Sequence, residues 1–168
     1  MSERLCNVLF LCTHNSARSV MAEALLNTLG RGRFQAFSAG SMPSGRVNPF
    51  AIEMARTIGY PTDHIRSKSW DEFANSGAPK MDIIITVCDN AASEVCPIWP
   101  ARHGNAPATA HWGFPDPSTT QGSDEDKRHA FDQTFQAIRQ RIEQLINLPV
   151  EKLEHSALAN ELTRLHAQ

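Results

Sequence analysis

Two residues that could do chemistry together, Cys12 and Arg18, are separated by only five residues. A cysteine thiolate is a nucleophile, and an arginine guanidinium is a planar fork that pairs with two oxygens of a tetrahedral anion. The pair predicts a loop that binds a phosphate-like oxyanion and directs a nucleophile at its central atom. The segment reads Leu11-Cys12-Thr13-His14-Asn15-Ser16-Ala17-Arg18-Ser19.

The residues after Cys12 are expected to hold the anion mainly through the backbone. Successive N–H groups in a strand-to-helix turn can face one centre, and the following helix adds the positive end of its dipole. We expect these surroundings to lower the pKa of the Cys12 thiol, Ser19 to donate a hydrogen bond to the thiolate, and Asn15 to brace the loop. The predicted oxyanion-binding residues are Thr13, His14, Asn15, Ser16, Ala17 and Arg18. The alternative is that Cys12 only ends a buried strand and Arg18 only caps a helix; the position of the motif between strand and helix favours the chemical interpretation.

The flanking elements must position this loop. Residues 7–11 form a short apolar run, typical of a buried parallel strand, and residues 19–29 carry apolar side chains at helical spacing. Further strands are predicted at 34–38, 81–87 and 109–112, and further helices at 49–58, 70–74, 124–148 and 151–168. The alternation predicts a three-layer α/β fold, doubly wound, with a parallel sheet of about four strands and an additional C-terminal helix. The loop would then lie at the carboxyl edge of the sheet, where ligands bind.

The two C-terminal helices have clear apolar faces. Ser123 is the predicted N-cap of the 124–148 helix, because three acidic residues follow it in the first turn. Its predicted buried stripe is Phe131, Phe135, Ile138, Ile142 and Leu145. The 151–168 helix has Leu158, Leu162 and Leu165 on one side. We predict a catalytic domain over residues 1–148 and a helical extension over 149–168.

The composition excludes several classes of protein. The chain has 168 residues, 41% hydrophobic and 20% charged, with a net charge of −2. It is therefore expected to be neither disordered, nor a membrane protein, nor a nucleic-acid binder. Residues 1–12 lack the apolar length and cleavage site of a secretion signal, so a cytoplasmic location is predicted. The four cysteines, at positions 6, 12, 88 and 96, match no zinc-site spacing, and no metal is predicted.

The segment from Cys12 to Ser19 resembles the phosphate-binding loop of the low-molecular-weight protein tyrosine phosphatase fold. The resemblance runs from about residue 6 to about residue 148 and implies a phosphatase I-like architecture. Proteins of this family carry a general acid in an Asp-Pro loop far downstream, and this sequence has Asp116-Pro117. The resemblance therefore implies that Asp116 protonates the leaving group.

Three departures separate the chain from the phosphatases. Ser118 and Thr119 follow the Asp-Pro where the phosphatases carry tyrosines, and Ala17 precedes the loop arginine where they usually have a second cysteine. Cys88 and Cys96 follow the most strongly predicted strand. This segment and residues 110–113 resemble the thiol-linked arsenate reductases of the same fold, which are detoxification enzymes of arsenical resistance.

That resemblance implies a relay of three thiols. Cys12 attacks arsenate, Cys88 attacks the Cys12 sulfur, and Cys96 attacks Cys88, so that two electrons reach arsenic and a disulfide remains. Since a disulfide needs close Cα atoms, the 88–96 segment cannot stay regular when oxidised. Arsenate is the implied substrate, with phosphate and sulfate as competing oxyanions. No bound cofactor is implied, and the external reductant is thioredoxin or glutaredoxin with glutathione.

Two other functions remain open from the sequence. The chain could be a low-molecular-weight phosphatase acting on phosphotyrosine or small phosphate esters, or a non-catalytic oxyanion-binding redox sensor. Cys6 is assigned to packing, and His111 is assigned to a structural hydrogen bond near Asp116. A monomer or a weak dimer is expected.

Overall fold

The computed structural model describes residues 5–74, 77–87, 107–150 and 155–167. Its strands are β1 (Cys6–Cys12), β2 (Phe34–Gly40), β3 (Ile83–Thr86) and β4 (Ala108–His111). They form one parallel sheet in the order β2–β1–β3–β4. The chain starts inside the sheet, moves to one edge and then crosses to the other side of β1, which makes the sheet doubly wound. The predicted α/β fold with four parallel strands is confirmed.

Among the described residues, four α-helices accompany the sheet: α1 (Arg18–Leu29), α2 (Pro49–Thr57), α3 (Asp124–Ile146) and α4 (His155–Ala167). The same part of the chain contains three short 3₁₀ helices, at Thr62–His64, Trp70–Phe73 and Pro117–Thr119. Ser123 caps α3 as predicted, and Asp126 completes a reciprocal capping box. The 70–74 segment is a 3₁₀ helix, and α3 ends two residues earlier than predicted.

Side chains of β1 alternate between the two faces of the sheet. Val8 and Phe10 belong to the larger apolar cluster, which also contains buried side chains from each of the four described α-helices. Leu9 and Leu11 belong to a smaller cluster on the opposite face, closed among the described residues by Phe73 and its neighbours. Because both faces are covered, β1 is a continuous apolar run rather than an alternating one. The buried stripe predicted for α3 is confirmed.

Helix α4 packs on the sheet beside β4. Leu158, Leu162 and Leu165 join the larger cluster, and the indole Nε1 of Trp112 donates a hydrogen bond of 2.9 Å to the carbonyl of Leu162. Trp112 is fully buried, so this bond satisfies its polar atom inside the core. The predicted boundary at residue 148 stays a prediction, and α4 shares its core with the rest of the fold.

Strand β2 lies at one edge of the sheet, and a side chain of α1 takes the place of a neighbouring strand there. Asn27 accepts from the N–H of Ala36 at 2.8 Å and donates to its carbonyl at 3.1 Å. The amide group thus copies the two hydrogen bonds of a paired strand. Further along, the N–H of Gly40 donates to the carbonyl of Lys68 at 2.9 Å.

Two further properties concern the described residues alone. None of their helices combines the length and the apolar character needed to cross a bilayer. Within the same ranges, no group of three or more His, Cys, Asp or Glu side chains is arranged to hold a metal ion.

Candidate active site

Cys12 is the last residue of β1 and is only 5% exposed. It lies opposite Gly40 of β2, at the carboxyl edge of the sheet and beside the point between β1 and β3 where the strand order reverses. Ligands of open α/β sheets bind at this point. The sheet therefore presents Cys12 where the sequence analysis expected it.

The loop after Cys12 turns its carbonyl groups outward. The carbonyl of Thr13 accepts from the N–H of Met42, that of His14 accepts from Ser44 and from the hydroxyl of Ser67, and that of Ser16 accepts from Asn48, at distances of 2.8–3.1 Å. A trans peptide holds its N–H opposite its carbonyl. The N–H groups that follow these three carbonyls therefore point away from the outer segment, as an anion-binding turn requires.

Asn15 braces the loop from inside. It is fully buried and has a φ of 49°, a left-handed conformation that asparagine adopts more readily than most side chains. Its Nδ2 donates to the hydroxyl of Ser19 at 2.8 Å, and its Oδ1 accepts from the N–H of Lys68 at 2.9 Å. Since the Ser19 oxygen accepts from Asn15, its own proton is available for another acceptor.

The N-terminus of α1 carries no neutralising group of its own. Ala17, the N-cap, has no side chain that can cap, and the first turn contains no acidic residue. By contrast, Asn48 caps α2 and Ser123 caps α3. The positive end of the α1 dipole therefore faces the loop without a compensating carboxylate from its own first turn.

Arg18 and Asp116 are brought together by the fold. Nη1 of Arg18 donates to the carbonyl of Phe114 at 2.9 Å, and Nη2 lies 3.5 Å from Oδ2 of Asp116. The buried Nε of Arg18 has no hydrogen-bond acceptor among the described residues. A buried guanidinium N–H is costly to leave unpaired, so this atom indicates a place for a ligand oxygen.

Asp116 is held by the short helix that follows it. Its Oδ1 accepts from the N–H of Ser118 at 2.9 Å and from the Ser118 hydroxyl at 2.6 Å. Its Oδ2 is left to face Arg18, and the side chain is 33% exposed. One oxygen of the carboxyl is therefore fixed while the other lies next to the loop arginine, at the entrance of the site.

Two residues that shape the loop were missed by the sequence analysis. A Cβ atom on Gly40 would lie 2.5 Å from the carbonyl oxygen of Thr13, so only glycine fits beneath the loop. Lys68 holds Asn15 through its backbone N–H. The glycine at the end of a predicted strand was a signal for close approach; nothing in the local sequence marked Lys68.

The remaining predicted residues divide into two groups. Cys88 and Cys96 lie outside the described residues. Cys6 packs against the larger apolar cluster, and Nδ1 of His111 lies 2.7 Å from the hydroxyl of Thr86 on the adjacent strand. These contacts agree with the prediction that Cys6 serves packing and that His111 makes a structural hydrogen bond.

A buried charge pair lies behind the loop. Oε1 of Glu23 in α1 is 3.8 Å from Nζ of Lys68, and each side chain is only 8% exposed. Burial raises the pKa of Glu23, although the Lys68 ammonium acts against that rise. Burial lowers the pKa of Lys68, and the Glu23 carboxylate acts against that fall. Tyr60 donates a hydrogen bond of 3.2 Å to Oε2 of Glu23.

Comparison with known proteins places this site in a family. Residues 7–159 match the low molecular weight phosphotyrosine protein phosphatase family, and the chain belongs to that family. Its matched relatives include arsenate reductases. The arsenate reductase of Halalkalibacterium halodurans is 35% identical, over 80% of this chain and 91% of its own length. The arsenate reductase of Bacillus subtilis is 34% identical, over 80% of this chain and 88% of its own length. The crystal structure of the Archaeoglobus fulgidus arsenate reductase superposes with a TM-score of 0.62 at 26% identity, covering 84% of this chain and 99% of the other. The resemblance to arsenate reductases of this fold is thereby confirmed.

Proposed function

We propose that the protein reduces arsenate to arsenite with Cys12 as the nucleophile. The observation that carries the proposal is the Arg18 guanidinium beside the loop of the buried Cys12. It is held by Asp116 and Phe114 and keeps a buried Nε without an acceptor among the described residues. This is the arrangement expected for binding a tetrahedral dianion next to a thiolate. The family relatives named above favour arsenate as that anion.

The first step forms a bond between the Cys12 sulfur and arsenic. The thiolate attacks arsenate held by the loop amides and Arg18, and an As–O bond breaks. Asp116 protonates the departing oxygen, which leaves as water. The outward loop carbonyls and the uncapped N-terminus of α1 support this step, because they leave the positive ends of the peptide dipoles for the anion.

The second step transfers two electrons to arsenic. Cys88 attacks the Cys12 sulfur, the S–As electron pair stays with arsenic, and arsenite leaves as a Cys12–Cys88 disulfide forms. The N–H of Val87 donates to the carbonyl of Leu11 at 2.8 Å. In the sequence, Cys12 directly follows Leu11 and Cys88 directly follows Val87. This neighbourhood supports Cys88 as the attacking thiol.

The last steps regenerate the enzyme. Cys96 attacks the Cys88 sulfur and releases Cys12 as a thiolate, and an external dithiol or two glutathione molecules reduce the Cys88–Cys96 disulfide. Thioredoxin and glutaredoxin with glutathione are the two candidate donors. The cycle needs no bound cofactor, and it fits the reducing environment of the cytoplasm.

Thiol counting with peptide mapping tests the proposal. Fully reduced protein is mixed with arsenate, or with phosphate as a control, without external reductant. We expect arsenate alone to remove about two thiols per chain and to leave Cys88 joined to Cys96. Cys6→Ser is the matched control, because Cys6 lies in β1 but packs into the core. If arsenate removes no thiols, the reductase proposal is wrong and the phosphatase alternative takes its place.

Variants of Cys88 separate reduction from ester hydrolysis. Cys88→Ser is expected to stop sustained arsenate reduction and to leave any hydrolysis of phosphate esters intact, because hydrolysis uses the loop, Arg18, Cys12, Asp116 and water but no second thiol. Arsenate reduction over many turnovers by this variant would contradict the relay. Adding thioredoxin or glutaredoxin with glutathione to the wild-type protein then identifies the donor by the rate that each supports.

A further inference from the structure

A cluster of polar side chains is buried between α1, β2 and the segment around residue 68. Oε1 of Glu23 accepts from the hydroxyl of Ser38 at 2.8 Å, and Oε2 accepts from Tyr60 at 3.2 Å. Nζ of Lys68 donates to the carbonyl of Arg66 at 2.9 Å and lies 3.8 Å from Oε1 of Glu23. A buried charge pair is weak evidence for stability, since desolvation offsets the attraction. The pair therefore calls for a role other than stabilising the fold.

The backbone of Lys68 connects this cluster to the loop. Its N–H donates to Oδ1 of Asn15, and its carbonyl accepts from the N–H of Gly40, both at 2.9 Å. Asn15 is the left-handed residue of the loop and contacts Ser19. Gly40 lies directly under the carbonyl of Thr13. One residue thus touches the two groups that set the shape of the loop.

We propose that Lys68 is a positioning residue for the oxyanion loop, and that its side chain does this by being anchored at Glu23. The anchor fixes the 66–69 backbone, which in turn fixes the amide of Asn15 and the end of β2. This inference rests on the proposed function, because it takes the loop to be the oxyanion site. Lys68 acts on the anion through Asn15 and Gly40, so the effect of its side chain is indirect.

Neutralising Lys68 makes oxyanion binding depend on the ionisation of Glu23. In Lys68→Met the carboxyl loses its buried cation, and burial then keeps the pKa of Glu23 raised with less opposition. At low pH the Glu23 carboxyl of this variant is protonated, and the buried cluster can hold it as a neutral group. As the pH rises, the carboxyl becomes a buried charge without a cation beside it, and the cluster rearranges. Among the described residues, the other titratable groups that face the cluster are Tyr60, His64, Arg66 and Glu72.

Sulfate affinity measured by calorimetry tests the inference, because sulfate stays a dianion between about pH 6 and pH 9. We expect Lys68→Met to weaken sulfate binding by about three- to thirtyfold at the upper end of this pH range. The difference in affinity from the wild type should become smaller as the pH falls. The double variant Lys68→Met/Glu23→Gln has no buried charge. It is expected to bind more weakly than the wild type by a factor that does not change with pH. Lys127→Met, which removes a charge on α3, is the control and should bind like the wild type.

The possible results of these measurements distinguish failure of the Lys68 inference from failure of the proposed function. Unchanged sulfate affinity in Lys68→Met, with only a lower melting temperature, overturns the inference and leaves the proposed function intact. If the single variant does not fold, wild-type affinity in the double variant overturns the inference equally. If the wild-type protein binds no sulfate and loses no thiols to arsenate, the proposed function and the inference fail together.

Discussion

At the scale of single residues, the proposed site depends on how the hydrogen-bond donors of Arg18 are divided between the protein and the proposed oxyanion. Two of its nitrogens contact Asp116 and the carbonyl of Phe114, and Nε is left for a ligand. Under the proposed function, an incoming dianion would meet a guanidinium that is already oriented, which reduces the ordering cost of binding. The same contact places the Asp116 carboxyl at the edge of the loop, where a leaving oxygen would depart.

Asp116→Asn separates catalysis from binding. The amide keeps the size of the carboxyl and can accept from Ser118, but it has no proton to give at the leaving oxygen. We expect turnover with arsenate to fall by about 10²–10⁴-fold, while sulfate affinity changes little. Steady-state kinetics and calorimetry on the same sample check this. Full turnover in the variant would remove Asp116 from the mechanism and favour a different proton donor.

Tyr60 offers a second test, because it is the only tyrosine in the chain. Burial, together with the neighbouring Glu23 carboxylate, raises the pKa of Tyr60 to about 12. The folded pKa is above the unfolded one, so the stability that this tyrosine contributes is present below about pH 10 and lost as the pH rises through 12. Phenolate absorbance should titrate near 12 in the folded protein and near 10 in denaturant.

A folded-state midpoint near the ordinary value of tyrosine would contradict the half-buried position of Tyr60 beside Glu23. Far-ultraviolet circular dichroism recorded at each pH provides the control. It shows whether the chain is still folded at the midpoint.

Much of the residue-scale arrangement could be predicted, and the limits have a physical reason. Cys12, Arg18 and Asn15 were found because a strand, a short loop and a helix follow one another in the sequence, so their positions are locally determined. Lys68 is brought to Asn15 by tertiary structure alone, across 53 positions. The Glu23–Lys68 pair could not be found because a glutamate and a lysine carry no sign of their burial in a single sequence.

At the scale of elements, the described strands and α-helices were predicted with errors only at their ends, whereas the 3₁₀ helices Thr62–His64 and Pro117–Thr119 were not predicted. Strand β1 extends one residue further at each end than its apolar run, because ladder bonds with β2 continue to Cys12 and Gly40. Helix α3 stops at Ile146, with Asn147 as its C-cap, before Pro149. Hydrogen bonds rather than side-chain character fix such boundaries, so the periodicity alone does not locate them.

The capping box of α3 gives a prediction at this scale. Ser123→Ala removes the hydroxyl that accepts from the N–H of Asp126 at 3.1 Å, so we expect a loss of about 1 kcal/mol in the free energy of unfolding. Urea denaturation checks the size of the effect. Gln121→Ala, an exposed neighbour outside the box, is the control and should leave the midpoint unchanged. A Ser123→Ala midpoint equal to that of the control would mean that the box contributes nothing.

At the scale of the whole molecule, α4 is integral to the core. Leu162 is fully buried, and its carbonyl accepts the hydrogen bond of the buried Trp112. A boundary at residue 148 was predicted because Pro149 interrupts the helical pattern, yet the three leucines of α4 join the cluster that contains β1 and β3. The sequence predicted the amphipathic face of α4 but did not predict that this face packs against the larger apolar cluster.

Leu162→Ala tests this integration. The substitution leaves a cavity in the core, and we expect it to cost about 2–5 kcal/mol in the free energy of unfolding. Because α4 and the sheet share one core, unfolding should remain a single transition, seen alike by tryptophan fluorescence and circular dichroism. Asn160→Ala, exposed on the same helix, is the control. An early separate transition in Leu162→Ala would show that α4 unfolds independently of the sheet.

The amide of Asn27 at the edge of β2 has a consequence for how these molecules behave in a crowded solution. An open strand edge is a template on which a second chain can add its own strand, and such additions can continue into polymers. Here the N–H and carbonyl of Ala36 are already occupied from within the same chain, by a group too short to recruit another strand. A single asparagine on a helix thus protects the sheet against polymerisation at this position.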